Sequence, residues 1–570
     1  MRLPVVRVLV EGTIDKEFDY VVPESMIHDA RLGSLVRVDL GGRRVGGWIV
    51  ATDAVAEPDV DLKPIAKITG LGPTAEIIGL ARWAAHRWAG RLANLLTTAS
   101  PPKAVTGLPV PAITVPAGGV NDAVVADAFG DWPTVLRLAP TEDLYPVALA
   151  AAQRGNALIV APSVEVARGL AARLRRTGVD VALHPDQWAK AHVGATVIGA
   201  RAAAWAPMAE PAAFVVLDEH DEVHQEERVP TWHARDVMIE RARRAGVPCV
   251  LTSPMPTLEA RAVARVVSRP VSLERNGWSI IDVVDRRNED PRRAGLFSPK
   301  LVRQLRSDAR VLCVLNRTGR ARLIACDSCG VVATCESCDA AVIQPESDYV
   351  CLRCDTARPA ICQACGSTAS RNIRAGVSRV REELVALVRE DVDEVTGSSK
   401  GEARSRVVVG TEALLHQVRA ADSVAFLDFD QELLAPRYRA AEQALSLIVR
   451  ACRIVGGRHQ GGRVLLQTRQ PDHEVIKAAV NGEPDRLVKP ELDRREILGF
   501  PPALAVADVS GPAAPQFIEA LGQPMGVEVM GPRDGHWLVK APDHEMLADA
   551  LAATHRPGGR LRIAVDPLRV

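Results

Sequence analysis

Eight of the eleven cysteines in this chain fall between Cys326 and Cys365, as four Cys-x-x-Cys pairs: Cys326/Cys329, Cys335/Cys338, Cys351/Cys354 and Cys362/Cys365. A two-residue gap lets both thiolates of a pair turn toward one tetrahedral ion, so the four pairs supply ligands for two closed zinc sites. With no position left for water, such sites are structural and not catalytic. The alternative, a disulfide framework, belongs to oxidising compartments. The remaining cysteines, Cys249, Cys313 and Cys452, are scattered in apolar settings, as in a cytosolic chain. The segment has few apolar residues of its own, so metal must supply much of its folding free energy, about 10–16 kcal/mol per site on the scale of zinc-finger peptides. Ser328, Ser337 and Gly330 suit turns that aim backbone N–H groups at sulfur. Spacing leaves open which pairs share an ion.

A chain of 570 residues is too long for one core and implies about three to five domains. Basic and acidic residues balance at 70 each, so a nucleic-acid partner has to be met by local patches and not by net charge. No apolar run reaches membrane-spanning length, and the charged start Met1-Arg-Leu-Pro-Val-Val-Arg lacks a secretory pattern, which leads to the expectation of a cytoplasmic protein without a membrane partner. Aromatic residues are only 4%, which argues against broad stacking platforms for single strands.

Residues 1–105 read as a small barrel-like set of strands followed by a helix over 74–96, with Arg37, Arg43, Arg44, Lys63 and Lys67 interleaved. Residues 106–132, rich in proline and glycine, read as a linker. Beyond it, short β-rich runs at 157–161, 195–199, 213–217 and 248–252 alternate with helical segments at 164–176 and 234–245, the pattern of a parallel α/β sheet. That pattern resumes after the cysteines, at 405–410, 423–427 and 462–467. The chain therefore divides into a first α/β lobe (133–265), a second lobe (266–325 and 367–478) interrupted by the zinc module (326–366), and a small α+β domain (479–570). The interruption lies between Asn316-Arg-Thr-Gly319 and Ala375-Gly376. Two parallel lobes with an insertion in the second match the architecture of a nucleic-acid motor.

Phe18-Asp19-Tyr20, Arg44 to Val50, Val197-Ile-Gly-Ala-Arg201, Trp232-His-Ala-Arg-Asp236, Pro256-Thr-Leu-Glu259, Leu315-Asn-Arg-Thr-Gly319, the eight cysteines, Arg439-Ala-Ala-Glu442, Gln467-Thr468 and Val565-Asp-Pro567 follow one another in this order. In order and spacing the set resembles the bacterial primosomal replication-restart family, PriA, over nearly the whole chain. The resemblance implies a 3′-end DNA-binding domain at the start, two helicase-like lobes, and a C-terminal domain that meets branched DNA and single-stranded-DNA-binding protein. It implies that Phe18, Asp19 and Lys63 form the 3′-end pocket: a ring to stack on the terminal base, a carboxylate to accept from the 3′-hydroxyl, a lysine for phosphate. It also implies nested metal sites, Cys326, Cys329, Cys362 and Cys365 around one Zn2+ and Cys335, Cys338, Cys351 and Cys354 around the other. Fewer than thirty residues remain for the family's winged helix between 105 and the first lobe, so that domain is expected to be absent.

The same resemblance exposes a damaged ATP apparatus. Where the family's phosphate loop ends in Gly-Lys-Thr, this chain reads Ala139-Pro-Thr-Glu-Asp-Leu-Tyr-Pro146, with Tyr145 for the lysine, Pro146 for the Mg-binding hydroxyl, and Glu142 and Asp143 set to repel phosphate. Leu217 falls on the Mg-coordinating carboxylate of the second motif, unless a one-residue shift puts Asp218 there. Ile454 and Gly457 fall on the two arginine-finger positions, with Arg453 and Arg458 as substitutes if the loop slips; such fingers are worth about 10³ to 10⁵ in rate. The expectation is a helicase-shaped, ATPase-dead protein with two Zn2+ and no working ATP/Mg2+ site. It would recognise stalled or branched forks with a nascent 3′ end and recruit primosome proteins and the replicative helicase or its loader at the nucleoid. Two other classes stay open on the sequence: an active 3′-to-5′ helicase, distinguished by nucleotide binding, and a zinc-dependent protein-interaction scaffold without DNA specificity, distinguished by fork competition and salt dependence.

Overall fold

The computed structural model describes residues 3–12, 15–54, 62–111, 119–130, 133–289, 295–315, 324–344, 347–351, 353–372, 377–399 and 401–569. Asn316–Gly319 and Ala375–Gly376 lie outside them. The first domain is a five-stranded antiparallel sheet of β1 (Val5–Val10), β2 (Glu17–Val21), β3 (Leu35–Leu40), β4 (Arg43–Ala51) and β5 (Lys67–Gly70), in the order β2-β1-β4-β3-β5. Strand alternation sends Val6, Val8, Tyr20, Val36, Val38 and Ile49 to an inner core. The chain before β5 returns to β2, with Val21 N donating to Lys63 O at 3.0 Å and Ile65 N to Val21 O at 3.0 Å, which curls the sheet toward closure. β1 and β4 approach so closely at Gly47 that a Cβ there would sit 2.6 Å from the Leu9 carbonyl oxygen.

Instead of one helix over 74–96 there are two, α1 (Ala75–Arg87), capped by Thr74, and α2 (Leu92–Ala99). The break has a tertiary cause. Ala89 is left-handed (φ 45°), and Gly90 abuts Pro230 of the next domain so tightly that an added Cβ would lie 2.3 Å from the proline ring. Trp48 on the outer face of β4 packs with Ile77, Leu80, Leu95 and Leu96 of these helices, which in turn join the core of the first lobe.

The expected architecture of two parallel lobes, metal module and small α+β domain is present. The first lobe has seven parallel strands in the order Arg265–Ser268, Thr134–Arg137, Cys249–Ser253, Pro211–Val216, Asn156–Val160, Thr196–Gly199, Val181–Leu183. Its first strand lies past residue 265, and a short helix, Ala123–Ala128, capped by Asp122, packs on it from inside the stretch read as linker. Central strands such as Cys249–Ser253 are buried at every residue, as a sheet covered on both faces requires. Burial pushes the Cys249 and Cys313 thiols up to about 12, so both are inert core groups. The second lobe has six parallel strands, Ile280–Asp285, Arg463–Thr468, Ser423–Phe426, Val311–Val314, Val407–Gly410 and Val392–Val395. The last domain is a four-stranded antiparallel sheet with helices Ala514–Leu521 and His544–Ala553. Among the described residues no helix is long and apolar enough to cross a membrane.

Motifs far apart in the chain meet at the joints between these domains. Glu259 accepts from Arg439 (2.8 Å) and Arg495 (3.0 Å), and Glu442 accepts from the Leu258 N–H (3.0 Å) and from Arg495. Burial opposes the charge on Arg495, but Glu442, Glu259 and Glu491 outweigh it and hold the guanidinium protonated. The tripeptide Val565–Pro567 touches the first domain and both lobes. Thr231 donates to the Val565 carbonyl (2.7 Å), Gln225 to the Asp566 carbonyl (2.6 Å), and Tyr438 to that of Pro567 (3.0 Å), while the Asp566 carboxylate takes Arg87 (3.2 Å) and His544 (2.8 Å).

Burial works against the Asp566 charge, yet His544 and Arg87 together hold its carboxyl well below the usual carboxylate range. A depressed carboxyl contributes stability that is complete above the unfolded value near about 4 and is lost as pH falls through the folded one. Asp566→Asn is accordingly expected to lower the midpoint of thermal unfolding at pH 7 and to flatten its decline below pH 4. A variant as acid-labile as the parent would show that this contact carries no pH-dependent stability.

Candidate functional sites

Strand pairing builds the first site. β2 places Phe18, Asp19 and Tyr20 in succession; Tyr20 points into the core and donates to the Asp39 carbonyl at 3.2 Å, while Phe18 and Asp19 stay half-buried at the rim. The register sets Arg7 of β1 opposite Asp19, and its guanidinium grips both carboxylate oxygens at 2.8 and 3.2 Å. Lys63 stands 3.6 Å from Asp39. Phe18, Asp19 and Lys63 line a single cavity of about 530 Å³, together with Arg7 and Asp39. Arg7 and Asp39 were not singled out from the sequence, because an isolated charge on a strand carries no signal of its own.

The cysteines converge in two sets, Cys326, Cys329, Cys362, Cys365 and Cys335, Cys338, Cys351, Cys354, and in each set the sulfurs lie within 4.8 Å of one another. Sulfurs of Cys326 and Cys365, Cys329 and Cys362, Cys335 and Cys354, and Cys338 and Cys351 are 3.5 Å apart. A tetrahedron built on a Zn–S bond of about 2.3 Å has edges of about 3.8 Å, so the donor sets fit. Backbone N–H groups support them as the turns suggested: Ser337 N lies 3.4 Å from Cys335 Sγ and Arg353 N 3.3 Å from Cys351 Sγ. Each set can hold one metal ion. Strand Ile324–Cys326 pairs with Ser370–Asn372 to close the outer set, and the inner set sits in a hairpin sheet of Val342–Ile343, Asp348–Cys351 and Ala357–Pro359. Ala341 N donates to Leu434 O (2.6 Å) and Arg353 to Ala435 O (2.6 Å), docking the module on the second lobe.

The third site is the cleft between the lobes. Strand Thr134–Arg137, a loop and helix Tyr145–Ala152 form the strand–loop–helix unit whose N–H groups serve phosphate elsewhere. Here those groups have internal acceptors. Glu142 accepts from Ala139 N (3.4 Å), Asp143 accepts from Tyr145 N (3.0 Å), and Thr141 N donates across the cleft to Gly277 O (3.3 Å). Arg173 holds Asp143 at 2.7 and 2.5 Å and lies 4.1 Å over the Tyr145 ring, and its hydrogen bonds keep the Asp143 carboxyl below its ordinary value. Pro146 occupies the first turn of the helix.

Leu217 is fully buried, and the carboxylate that faces the cleft is Asp218, held left-handed at φ 57°. Arg453 of the second lobe binds it through both terminal nitrogens (2.8 and 2.6 Å) and donates through Nε to the Pro140 carbonyl at 3.0 Å. One guanidinium thus ties Asp218 to the Pro140 loop across the cleft. A turn earlier on the same helix, Arg450 pairs with Asp221 at 2.7 Å. Ile454 is buried in the second-lobe core, Gly457 offers only its backbone, and Arg458 donates its N–H to Trp278 O at 2.8 Å. Burial pushes His220, beside this cluster, down to about 4, so it stays neutral.

With this geometry in hand, residues 7–101 match the family model described as the 3′ DNA-binding domain of PriA. The chain is 27% identical to the probable replication restart protein PriA of Mycobacterium tuberculosis, over 91% of this chain and 89% of that one. By sequence the chain is similar to PriA proteins. It is 27% identical to the Bacillus subtilis PriA and 26% to that of Thermotoga maritima, but spans only 44% and 60% of their lengths. Among solved structures, the helicase MrfA bound to DNA aligns with a TM-score of 0.33 at 10% identity over 80% of this chain and 69% of that one, too low a likeness to carry an argument. In the structure Phe18, Asp19 and Lys63 line one cavity, the cysteines fall into the two sets the resemblance implied, and Arg453, the offered substitute for the lost fingers, reaches the cleft.

Proposed function

We propose that this protein is a replication-restart scaffold that recognises stalled or branched DNA forks by their nascent 3′ end and recruits the replisome without hydrolysing ATP. The observation that carries the ATPase-dead reading is Arg453, which occupies the nucleotide cleft from Asp218 to Pro140. Phe18 stacks on the terminal base, Asp19 accepts from the 3′-hydroxyl, and Lys63 pairs with phosphate. Arg7 holds the Asp19 carboxylate in place through both of its oxygens. Two Zn2+ ions fill the cysteine sets and hold a module that offers a docking face to primosome proteins and to the replicative helicase or its loader. The C-terminal domain meets single-stranded-DNA-binding protein, and the protein works at the nucleoid.

The test is equilibrium binding of the zinc-loaded protein to forks that differ only at the 3′ terminus. A terminal phosphate removes the hydroxyl donor and sets a dianion against Asp19, which should weaken binding about tenfold to a hundredfold, the range for a lost hydrogen bond to a charged group. Asp19→Asn should erase most of that difference. Equal affinity for hydroxyl and phosphate ends would rule out the pocket as an end reader.

A further inference from the structure

Where the first domain, the first lobe and the last domain meet, a cavity of about 280 Å³ is lined by Arg91 and Asn94 of the first, Val229 of the second, and Arg556 and Gly559 of the third. No carboxylate lines it. Two arginines face it, and among the described residues neither forms an ion pair, although the chain carries as many acids as bases and most arginines near its joints are paired. Arg556 donates to the Ala89 carbonyl at 2.5 Å, and the Arg91 side chain has no hydrogen-bond partner among the described residues. Partial desolvation, and then the like charge of Arg91, lower the Arg556 guanidinium from its ordinary value. Asp15 offsets part of this, but it does not line the cavity, and a lining with two arginines and no carboxylate is arranged for an anion. α2 begins on the same wall with no side chain capping it, which adds a partial positive charge of the same sense.

The position of the cavity identifies the anion. Asp15 lies within electrostatic reach of Arg556, and four residues further along the same run stands Asp19 of the end pocket. At about 3.3 Å per residue Asp15 lies no more than roughly 13 Å from Asp19, so a short run of chain joins the end pocket to the neighbourhood of this cavity. We propose that Arg91 and Arg556 form a second contact on the DNA, binding a backbone phosphodiester a few nucleotides inward from the 3′ end. The inference rests on the DNA-binding reading above. It gives the joint between three domains a ligand, so that DNA seated in the end pocket also bears on the last domain.

The experiment is a fluorescence-anisotropy titration of a fork with a recessed 3′-hydroxyl end by the intact zinc-loaded protein, across a salt series. Each phosphate contact contributes about 0.9 to the slope of log affinity against log salt. Arg91→Ala with Arg556→Ala should therefore reduce the slope by about one unit, and Arg91→Ala alone by part of that. Because Arg556 also ties the Ala89 carbonyl, Arg91→Ala, which removes no hydrogen bond, separates binding from folding. Neutral methylphosphonate placed singly along the first few nucleotides should weaken the parent protein at one or two positions and leave the double variant indifferent there. An unchanged slope in both variants, or an equal methylphosphonate penalty in parent and double variant, overturns the site. Forks blocked by 3′-phosphate run alongside: equal binding of blocked and free ends with a slope that still falls would sink the end-pocket reading and leave this contact standing.

Discussion

Stripping metal from the purified protein is expected to unfold residues 324–372 while both parallel sheets persist. The sheets carry their own extensive cores, whereas the module's apolar cluster consists of Ile324, Ala340, Val342, Tyr349 and Ala360 around three of the ligands themselves. Without ions, eight sulfurs crowd at 3.4–3.5 Å with nothing to bind them together. Structural zinc in finger peptides supplies about 10–16 kcal/mol per site, far more than so small a cluster provides. Metal analysis should give two zinc per chain. Hydrogen exchange after chelation should show protection lost from the module and retained in strands such as Val311–Val314 and Cys249–Ser253. Cys338→Ser should cost the inner ion and Cys326→Ser the outer one. A single ion per chain, or a chelated module that keeps its protection, would refute the two-site assignment.

The second large effect is a null. Neither nucleotide binding at millimolar Mg-ATP nor fork-stimulated hydrolysis is expected, and restoring Tyr145→Lys with Pro146→Thr should not recover either. Those changes return one ammonium and one hydroxyl to the loop but leave Glu142 and Asp143 on its N–H groups and Arg453 across the cleft. Adding Glu142→Gly, Asp143→Ser and Arg453→Gly frees the cradle and Asp218, and weak nucleotide binding should then appear first, ahead of turnover. Turnover still lacks the fingers, worth about 10³ to 10⁵ in rate. Calorimetric titration and a phosphate-release assay read the two steps separately. Fork-stimulated hydrolysis by the parent that disappears in Asp218→Asn would make the chain a working motor.

What could be read from the sequence follows from how local each interaction is. A Cys-x-x-Cys pair announces itself within four residues, and four of them announce two sites; even so, the nested grouping depends on strand Ile324–Cys326 finding Ser370–Asn372, a long-range pairing that spacing does not encode. The helices Val164–Arg176 and Ala234–Ala245 were legible to the residue because each carries its cap and its apolar stripe within itself. The break between α1 and α2 was not, since its cause, Pro230, lies some 140 positions away. The same holds for Arg7, which was missed, and for Arg453, which the sequence offered only as a substitute finger. Arg7 acquires meaning only from β-register with Asp19, and Arg453 only from two lobes closing on each other, 235 positions from its partner.

Domains of a multidomain chain ordinarily melt one by one, each with its own midpoint. Val565–Pro567 works against that independence. Its carbonyls and one carboxylate are the partners of Arg87, Gln225, Thr231, Tyr438 and His544, residues drawn from four domains, so disordering any one of these four leaves polar groups of the others unpaired. Three residues thereby convert what would be a sequence of partial transitions into a shared, cooperative one.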